Sequence, residues 1–462
     1  MNRFFMVACF VIAPLFAGCL PQELVVWSPD GNRSAVISQN GDLYLCDEAG
    51  TLSPLALPPS LEHAVEKVAW LPDSKQLVLV AERSANSWDN AADVFEPQTR
   101  QRIIQIASKV QQELLVYEGE IDKFEPVSTS CQERDYIRLV LMYLRDHGND
   151  DVRKKLAKSE SIREMKVAIS AIAICSSLNA KPQTRQITEL AGENIYINVA
   201  PDGSAIAFTI ENVIGSQTSL NVIADSANTM PKIVSENTSA FCDWTPDGHS
   251  LVFIQATGDI NDAQFGAIAT RRVRDDSGSI LAELPEPQTH AGLVFSKDLQ
   301  VRCMHDGTIL FAAHDINLPC TTADLPQRAS LYMINPARQA MLSPVFGRAT
   351  YAEIPCDVRL FQLSPNREHI AVLSSDSEVT VVSLISGEVN IVQPIKAEGA
   401  SRLMPTWRND DELCFLSPVD GQETVENWQV VIWSLSKGSG RTISETWPSD
   451  VMRGFARSSD KH

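Results

Sequence analysis

Basic residues are in short supply in this chain. Lys and Arg number 39 against 58 Asp and Glu, a formal charge of −19. Nucleic acid is excluded as an expected partner, because gripping a phosphate backbone takes clustered cations. The same imbalance disfavours electrostatic adhesion to anionic lipid. Long apolar runs are scarce too: past the N-terminus no segment offers the roughly 18 apolar residues that cross a bilayer. Catalytic signatures are missing as well, with no G-x-S-x-G elbow, H-E-x-x-H helix, P-loop or dinucleotide glycine fingerprint. No catalytic, cofactor or metal residue is expected, and an enzyme is the less favoured class. What remains is a folded globular composition, 44% hydrophobic and 21% charged, over 462 residues. That length holds two or three ordinary domains or one large repeat-built domain.

The N-terminus, "MNRFFMVACFVIAPLFAGC", sets Arg3 before an apolar run from Phe4 to Phe16, with small residues at Ala17 and Gly18. This is the pattern of a secretory signal, too short for a comfortable membrane span. "LFAGC" resembles a bacterial lipobox, which implies removal of residues 1–18 and lipidation of Cys19. An ordinary cleaved signal and a retained anchor are the alternatives. Leu20 stands where some lipoproteins carry an inner-membrane-retention Asp. The resemblance therefore implies a cell-envelope address, lipid-anchored through Cys19, with the outer membrane facing the periplasm favoured. An exported chain can form disulfides. Cys46, Cys175, Cys242, Cys303 and Cys414, however, lie in strand-like apolar runs and read as small core residues.

One motif recurs. "VVWSPDGNRSAVI" returns as "VAWLPDSKQLVLV", "INVAPDGSAIAFT" and "CDWTPDGHSLVFI", then as weaker copies "VRCMHDGTILFAA", "FQLSPNREHIAVL" and "PTWRNDDELCFLS". The marked positions are Asp30, Asp73, Asp202, Asp247, Asp306, Asn366 and Asp410, and three residues before each stands an apolar residue, four times Trp. Pro sets the first corner of a turn, Asp or Asn bonds its own backbone, and Gly relieves a positive φ. The alternating strand that follows has one buried face. The seven marked residues are thus expected to be structural turn residues rather than ligands.

The marks are spaced 43, 129, 45, 59, 60 and 44 residues apart. A period near 44 matches about one four-stranded propeller blade. "WSPDG" followed by a short apolar strand resembles the WD40-like (PD40) repeat of TolB-like propellers, also found in prolyl-oligopeptidase-like enzymes. The resemblance implies an all-β fold, a β-propeller of seven blades with six as the alternative. Only Leu20–Glu23 separate Cys19 from the first strand, so the α/β domain that precedes the propeller in TolB is not expected.

The long second interval changes pattern. Ile103, Ile106, Ala107, Val110, Leu114 and Tyr117 follow helical spacing, as do Ile137, Val140, Leu141 and Leu144, and Asn149 suits a helix N-cap. The expected layout is a short tether over 19–23 and propeller over 24–84. A helical insertion in the second blade follows over 85–163, then the remaining propeller over 164–445. In the tail, 446–462, Trp447, Val451, Met452 and Phe455 are candidates to pack across the ring seam.

Two stretches invite a metal reading. "GDIND" places Asp259, Asn261 and Asp262 close together but lacks the alternating ligands of a calcium loop. In "CMHDGTILFAAHDINLPC", a hairpin turn at Asp306 sets His305 and His314 some 20 Å apart at about 3.3 Å per residue, too far to share an ion. The functional expectation is therefore a non-catalytic envelope lipoprotein that binds a protein or cell-wall component. The alternative is a propeller enzyme, a lyase, lactonase or glycan or peptide hydrolase, with its site at the central channel.

Overall fold

The computed structural model describes residues 22–178, 182–225, 230–260, 263–314, 329–338, 343–344, 361–373, 379–393, 399–401, 403–418 and 428–458. Cys19, the signal segment, Asn261, Asp262, Cys320 and the His314 side chain lie outside the described residues. The fold is mostly β, built of antiparallel sheets whose strands follow chain order.

The first sheet holds β1 (Val25–Trp27), β2 (Ser34–Ile37), β3 (Leu43–Cys46) and β4 (Leu52–Pro54). The second has seven strands: β5 (Val65–Trp70), β6 (Leu77–Ala85), β7 (Val167–Ser176), β8 (Gln183–Val199), β9 (Ala205–Asn212), β10 (Thr218–Ala224) and β11 (Lys232–Ser235). β8 accounts for its width. Residues 183–191 pair with β7, and the same strand runs on so that residues 192–199 pair with β9. Four-stranded sheets follow, with β12 (Thr238–Trp244), β13 (Ser250–Ile260), β14 (Ala263–Arg272) and β15 (Gln288–Val294) in one. The next holds β16 (Val301–Cys303), β17 (Ile309–His314), β18 (Ala329–Ile334) and β19 (Ser343–Pro344). Then come β20 (Phe361–Leu363), β21 (His369–Leu373), β22 (Val379–Ser383) and β23 (Val389–Gln393). After β24 (Gly399–Ser401), the last four-stranded sheet contains β25 (Thr406–Trp407), β26 (Glu412–Pro418), β27 (Trp428–Ser434) and β28 (Ser439–Thr442).

Between the paired strands β6 and β7 the chain is helical. α1 (Trp88–Ala91), α2 (Pro97–Val116), α3 (Cys131–Arg134), α4 (Ile137–His147), α5 (Asp150–Leu156) and α6 (Glu160–Arg163) share a core of their own. Ile103, Ile106, Val110 and Leu114 of α2 pack there with Leu139, Val140, Met142 and Leu144 of α4. The starts are capped by side chains. Asn149 accepts from Val152 N, Ser159 accepts from Ile162 N, and Ser130 forms a capping box with Glu133. On α4 Ile137 and Leu141 are only partly buried, while Leu139 and Met142 are fully buried, so the apolar stripe is rotated from the expected one.

The chain divides into two compact units, residues 57–344 and residues 1–56 with 345–462. In the first unit, the face of β9 and β10 carrying Ala207, Leu220 and Val222 packs on Trp244, Leu251 and Phe253. In the second unit the chain's two ends meet. Gln22 bridges to Leu403, and Trp447 Nε1 donates to Gly50 O at 2.8 Å. α7 (Ser449–Arg453) leads into β29 (Ala456–Ser458), which pairs with β24. Trp447, Val451 and Phe455 are buried.

Candidate binding surface on the first strands

Six of the seven marked residues close their own turns. Asp30 Oδ1 accepts from Asn32 N at 3.1 Å, Asp73 Oδ1 from Lys75 N at 2.8 Å, and Asp202 Oδ1 from Ser204 N at 3.1 Å. Asp247 Oδ1 accepts from His249 N at 3.0 Å, Asp306 Oδ1 from Thr308 N at 2.9 Å, and Asn366 Oδ1 from Glu368 N at 3.1 Å. The next residue has positive φ each time: +69° at Gly31, +76° at Gly203, +70° at Gly248 and +81° at Gly307, but also +55° at Ser74 and +57° at Arg367. Asp410 departs from this pattern. It receives Asn366 N at 2.7 Å, and Asn409 Oδ1 takes the turn bonds from Asp411 N and Glu412 N.

Two arginines extend the turns. Arg274 Nη2 bonds Asp202 Oδ2 at 2.6 Å, Nη1 bonds Gly248 O at 2.9 Å, and Nε bonds Gly278 O at 2.7 Å. Its guanidinium lies 5.9 Å from the Trp244 ring centroid. Hydrogen bonding from Arg274 holds the Asp202 carboxyl down at about 2. Arg408 repeats the device in the other unit: Nε bonds Gly31 O at 2.8 Å and the guanidinium sits 5.3 Å from the Trp27 centroid. Neither arginine was marked by the repeat.

Within residues 57–344, the first strands of successive sheets, the second half of β8, then β12 and β16, lie side by side. One face of these strands brings Tyr196, Asn198, Phe241, Asp243 and Arg302 together. Tyr196 and Phe241 meet edge to face at 5.0 Å, and the Arg302 guanidinium sits 5.6 Å from the Tyr196 centroid. Asp243 stitches the strands: Oδ1 accepts from Asn198 Nδ2 at 2.9 Å, and Oδ2 from Cys303 N at 2.8 Å. Asp243 and Arg302 are buried, while Tyr196, Phe241 and Asn198 are partly open. The grouping combines an aromatic pair, a guanidinium over a ring and a carboxylate fixed by two neighbouring strands. A period-2 reading one residue before the marked apolar position would have found Asn198, Asp243 and Arg302.

Catalytic groupings are thin. Thr270 Oγ1 and His290 Nε2 meet at 2.8 Å across β14 and β15, and burial lowers the imidazole pKa. No carboxylate hydrogen-bonds that ring among the described residues, so the orienting group of a triad is missing. Among the described residues no three His, Cys, Asp or Glu side chains converge on a metal position. Cys46, Cys175, Cys242, Cys303 and Cys414 are buried, and burial pushes the Cys46 and Cys414 thiols up to about 12.

At the root of the helices a small polar cleft is lined by Arg138, Lys166, Glu193, Glu211 and Asn212, among others. Near it, burial, reinforced by the charges of Glu66 and Glu193, pushes the Glu82 carboxyl up to about 7. Its folded value lies above the unfolded one, so its stabilising share is full below about pH 4.5 and lost as pH rises through 7. After discounting for solvent screening, Glu82→Gln is expected to stabilise the protein by about 1 kcal/mol at pH 8 and by nothing near pH 4. Urea denaturation at the two pH values checks this, and equal gains at both would contradict it.

No family model matches the chain, and no curated protein matches it. Solved structures do. Prolyl oligopeptidase B from Galerina marginata, bound to a 35mer hydrolysis and macrocyclization substrate, is 9% identical with a TM-score of 0.51, covering 91% of this chain and 50% of that one. A prolyl endopeptidase is 11% identical with a TM-score of 0.49, covering 89% and 48%. The β-propeller domain of Myceliophteria thermophila Cps50 (Swd1) is 11% identical with a TM-score of 0.44, covering 90% and 94%. The chain spans about half the length of the two peptidases. At these identities the likeness concerns the fold alone.

Proposed function

We propose that the sheets are seven blades of a propeller, with the seven-stranded sheet contributing two of them and the helices inserted in the second blade. The first strands then line a central channel, and the surface of Tyr196, Phe241, Asp243 and Arg302 faces it. On this reading the protein is a non-catalytic envelope lipoprotein, anchored through Cys19, that binds a protein or cell-wall partner. The observation that carries the binding reading is the Tyr196–Phe241–Arg302 grouping, which offers contact surface on rigid strands without a nucleophile and its base.

The test is a pull-down from solubilised envelope using the full chain, with Tyr196→Ala/Phe241→Ala as comparison. A partner retained by the parent and reduced at least tenfold by the double variant is expected; equal retention removes the surface from consideration. Separately, Cys19→Ser is expected to leave the protein unprocessed or released from membranes. Unchanged processing and partitioning would refute the anchor.

A second reading, a peptide hydrolase, is favoured by the peptidases among the similar structures. Turnover of proline-containing peptides by the purified chain, blocked by a serine-directed phosphonate, would establish it over the first.

A further inference from the structure

The cleft at the root of the helices has two walls, each carrying charges of one sign. On the helical side stand Arg138 of α4 and Lys166, where the chain returns to β7. Arg138 Nη2 bonds Lys166 O at 2.9 Å, which sets the guanidinium beside the lysine and leaves its other donors over. On the sheet side Glu193 of β8 stands directly opposite Glu211 of β9. Like charges so opposed in an antiparallel pair are destabilising. Glu211 is offset, because Oε1 accepts from Lys297 Nζ at 3.2 Å and Oε2 from Asn194 Nδ2 at 3.3 Å. Glu193 is not. Among the described residues neither its carboxylate nor the Lys166 ammonium makes a hydrogen bond or an ion pair, although both line the same cleft.

The backbone holds these walls in place. β8 passes from β7 to β9 at Gly192, where an added Cβ would meet Glu211 O at 2.6 Å, and Ser170 Oγ of β7 bonds Gly192 O at 2.8 Å. The hairpin joining β9 to β10 carries Val213 and Ile214 onto the helical core. Asn212 Nδ2 is tied to Gln217 O and Ser219 Oγ at 3.0 Å each, which leaves its Oδ1 as an acceptor. Ala168 and Val213 supply the apolar part of the lining.

We propose that this cleft binds a small zwitterion of the α-amino-acid class, its carboxylate on Arg138 and Lys166 and its ammonium on Glu193 and Asn212 Oδ1. An anion alone would meet the two glutamates, and a cation alone would meet the two basic side chains. A dipolar ligand satisfies both walls. The volume of about 60 Å³ admits about four to six non-hydrogen atoms at about 10–15 Å³ each, which fits glycine or alanine. Arg138 and Lys166 belong to the helical segment, Glu193 and Asn212 to the sheet, so the ligand ties α4 to β8 and β9. The site uses no residue of the Tyr196–Phe241–Arg302 grouping and does not depend on that reading.

Isothermal titration calorimetry of the full chain with L-alanine, propionate, ethylamine and inorganic phosphate tests the pairing. L-alanine is expected to bind one to one, roughly tenfold or more tighter than each of the other three. Lys166→Ala and Glu193→Gln are each expected to weaken it roughly tenfold or more. Lys154→Ala, an exposed change on α5, and Tyr196→Ala/Phe241→Ala are expected to leave it unchanged. Glu193→Gln also removes the like-charge opposition, so its urea midpoint should hold or rise while binding falls, which separates a lost contact from a folding defect. Hydrogen exchange in α4 should slow when L-alanine is added to the parent. No heat from L-alanine, or equal affinity in the parent and both cleft variants, overturns the proposal. So does propionate, ethylamine or phosphate binding as tightly as L-alanine.

Discussion

Asp202→Ala is expected to destabilise the unit of residues 57–344 by about 3 kcal/mol, against about 1 kcal/mol for the equivalent Asp73→Ala. Both residues close the same kind of turn. Asp202 also neutralises Arg274, whose side chain is 3% exposed while that of Asp202 is 54% exposed. Removing the carboxylate leaves a buried guanidinium with only carbonyl and hydroxyl partners, including Gly248 O, Gly278 O and Ser204 Oγ. Removing the arginine instead returns the carboxylate to water, so Arg274→Ala is expected to cost less than Asp202→Ala. The Asp202 pKa is depressed below its unfolded value, so its contribution is present above about pH 4 and lost as pH falls through about 2. Urea denaturation of the three variants near pH 7 gives the order. Equal costs for Asp73→Ala and Asp202→Ala would mean that the turn, not the arginine, is what the carboxylate serves.

Arg145→Ala is expected to release the helices from the sheet, at a cost of about 3 kcal/mol. The Arg145 guanidinium spans both places where the helical segment joins β6 and β7. Nη2 bonds Asn86 O at 2.6 Å on the outgoing side, and Nη1 bonds Ile162 O and Met165 O at 3.1 Å each on the returning side. Asp146 next to it accepts from Trp88 N, fixing the first helix to the fourth. Lysine lacks the planar fork that reaches both strands of chain, so Arg145→Lys is not expected to rescue. Hydrogen exchange is the measurement: protection should fall across 86–165 and persist in β12 to β14. Unchanged protection in α2 and α4 would show that the shared helical core holds without this clamp.

The turns were legible because their chemistry is local. An Asp or Asn bonding two residues ahead needs no knowledge of the sheets, and Asn149 as a cap needs only its own helix. Asp410 was misplaced within its turn because anchoring on Trp407 conceals the fact that Asn409 makes the turn bonds. β8 was hidden for another reason. Its sequence, from Gln183 to Val199, has Ala191 and Gly192 where it leaves one partner and meets the next, and Gly192 with Asn194 (φ +56°) reads as a break although the strand runs on. The Tyr196–Arg302 surface depends on register between strands far apart in sequence, which periodicity within one strand does not supply. The Glu82 shift likewise arises from burial first and then from carboxylates on β5 and β8, which no single strand reveals.

The meeting of the chain's two ends sets an order of manufacture. The sheet of residues 25–54 is the first of the described residues to leave the ribosome, yet the residues that cover it, Leu403, Arg408, Trp447 and Gly454, are among the last. Until residues 403–454 are made the Trp27 face stays bare, so the portion born first is completed last.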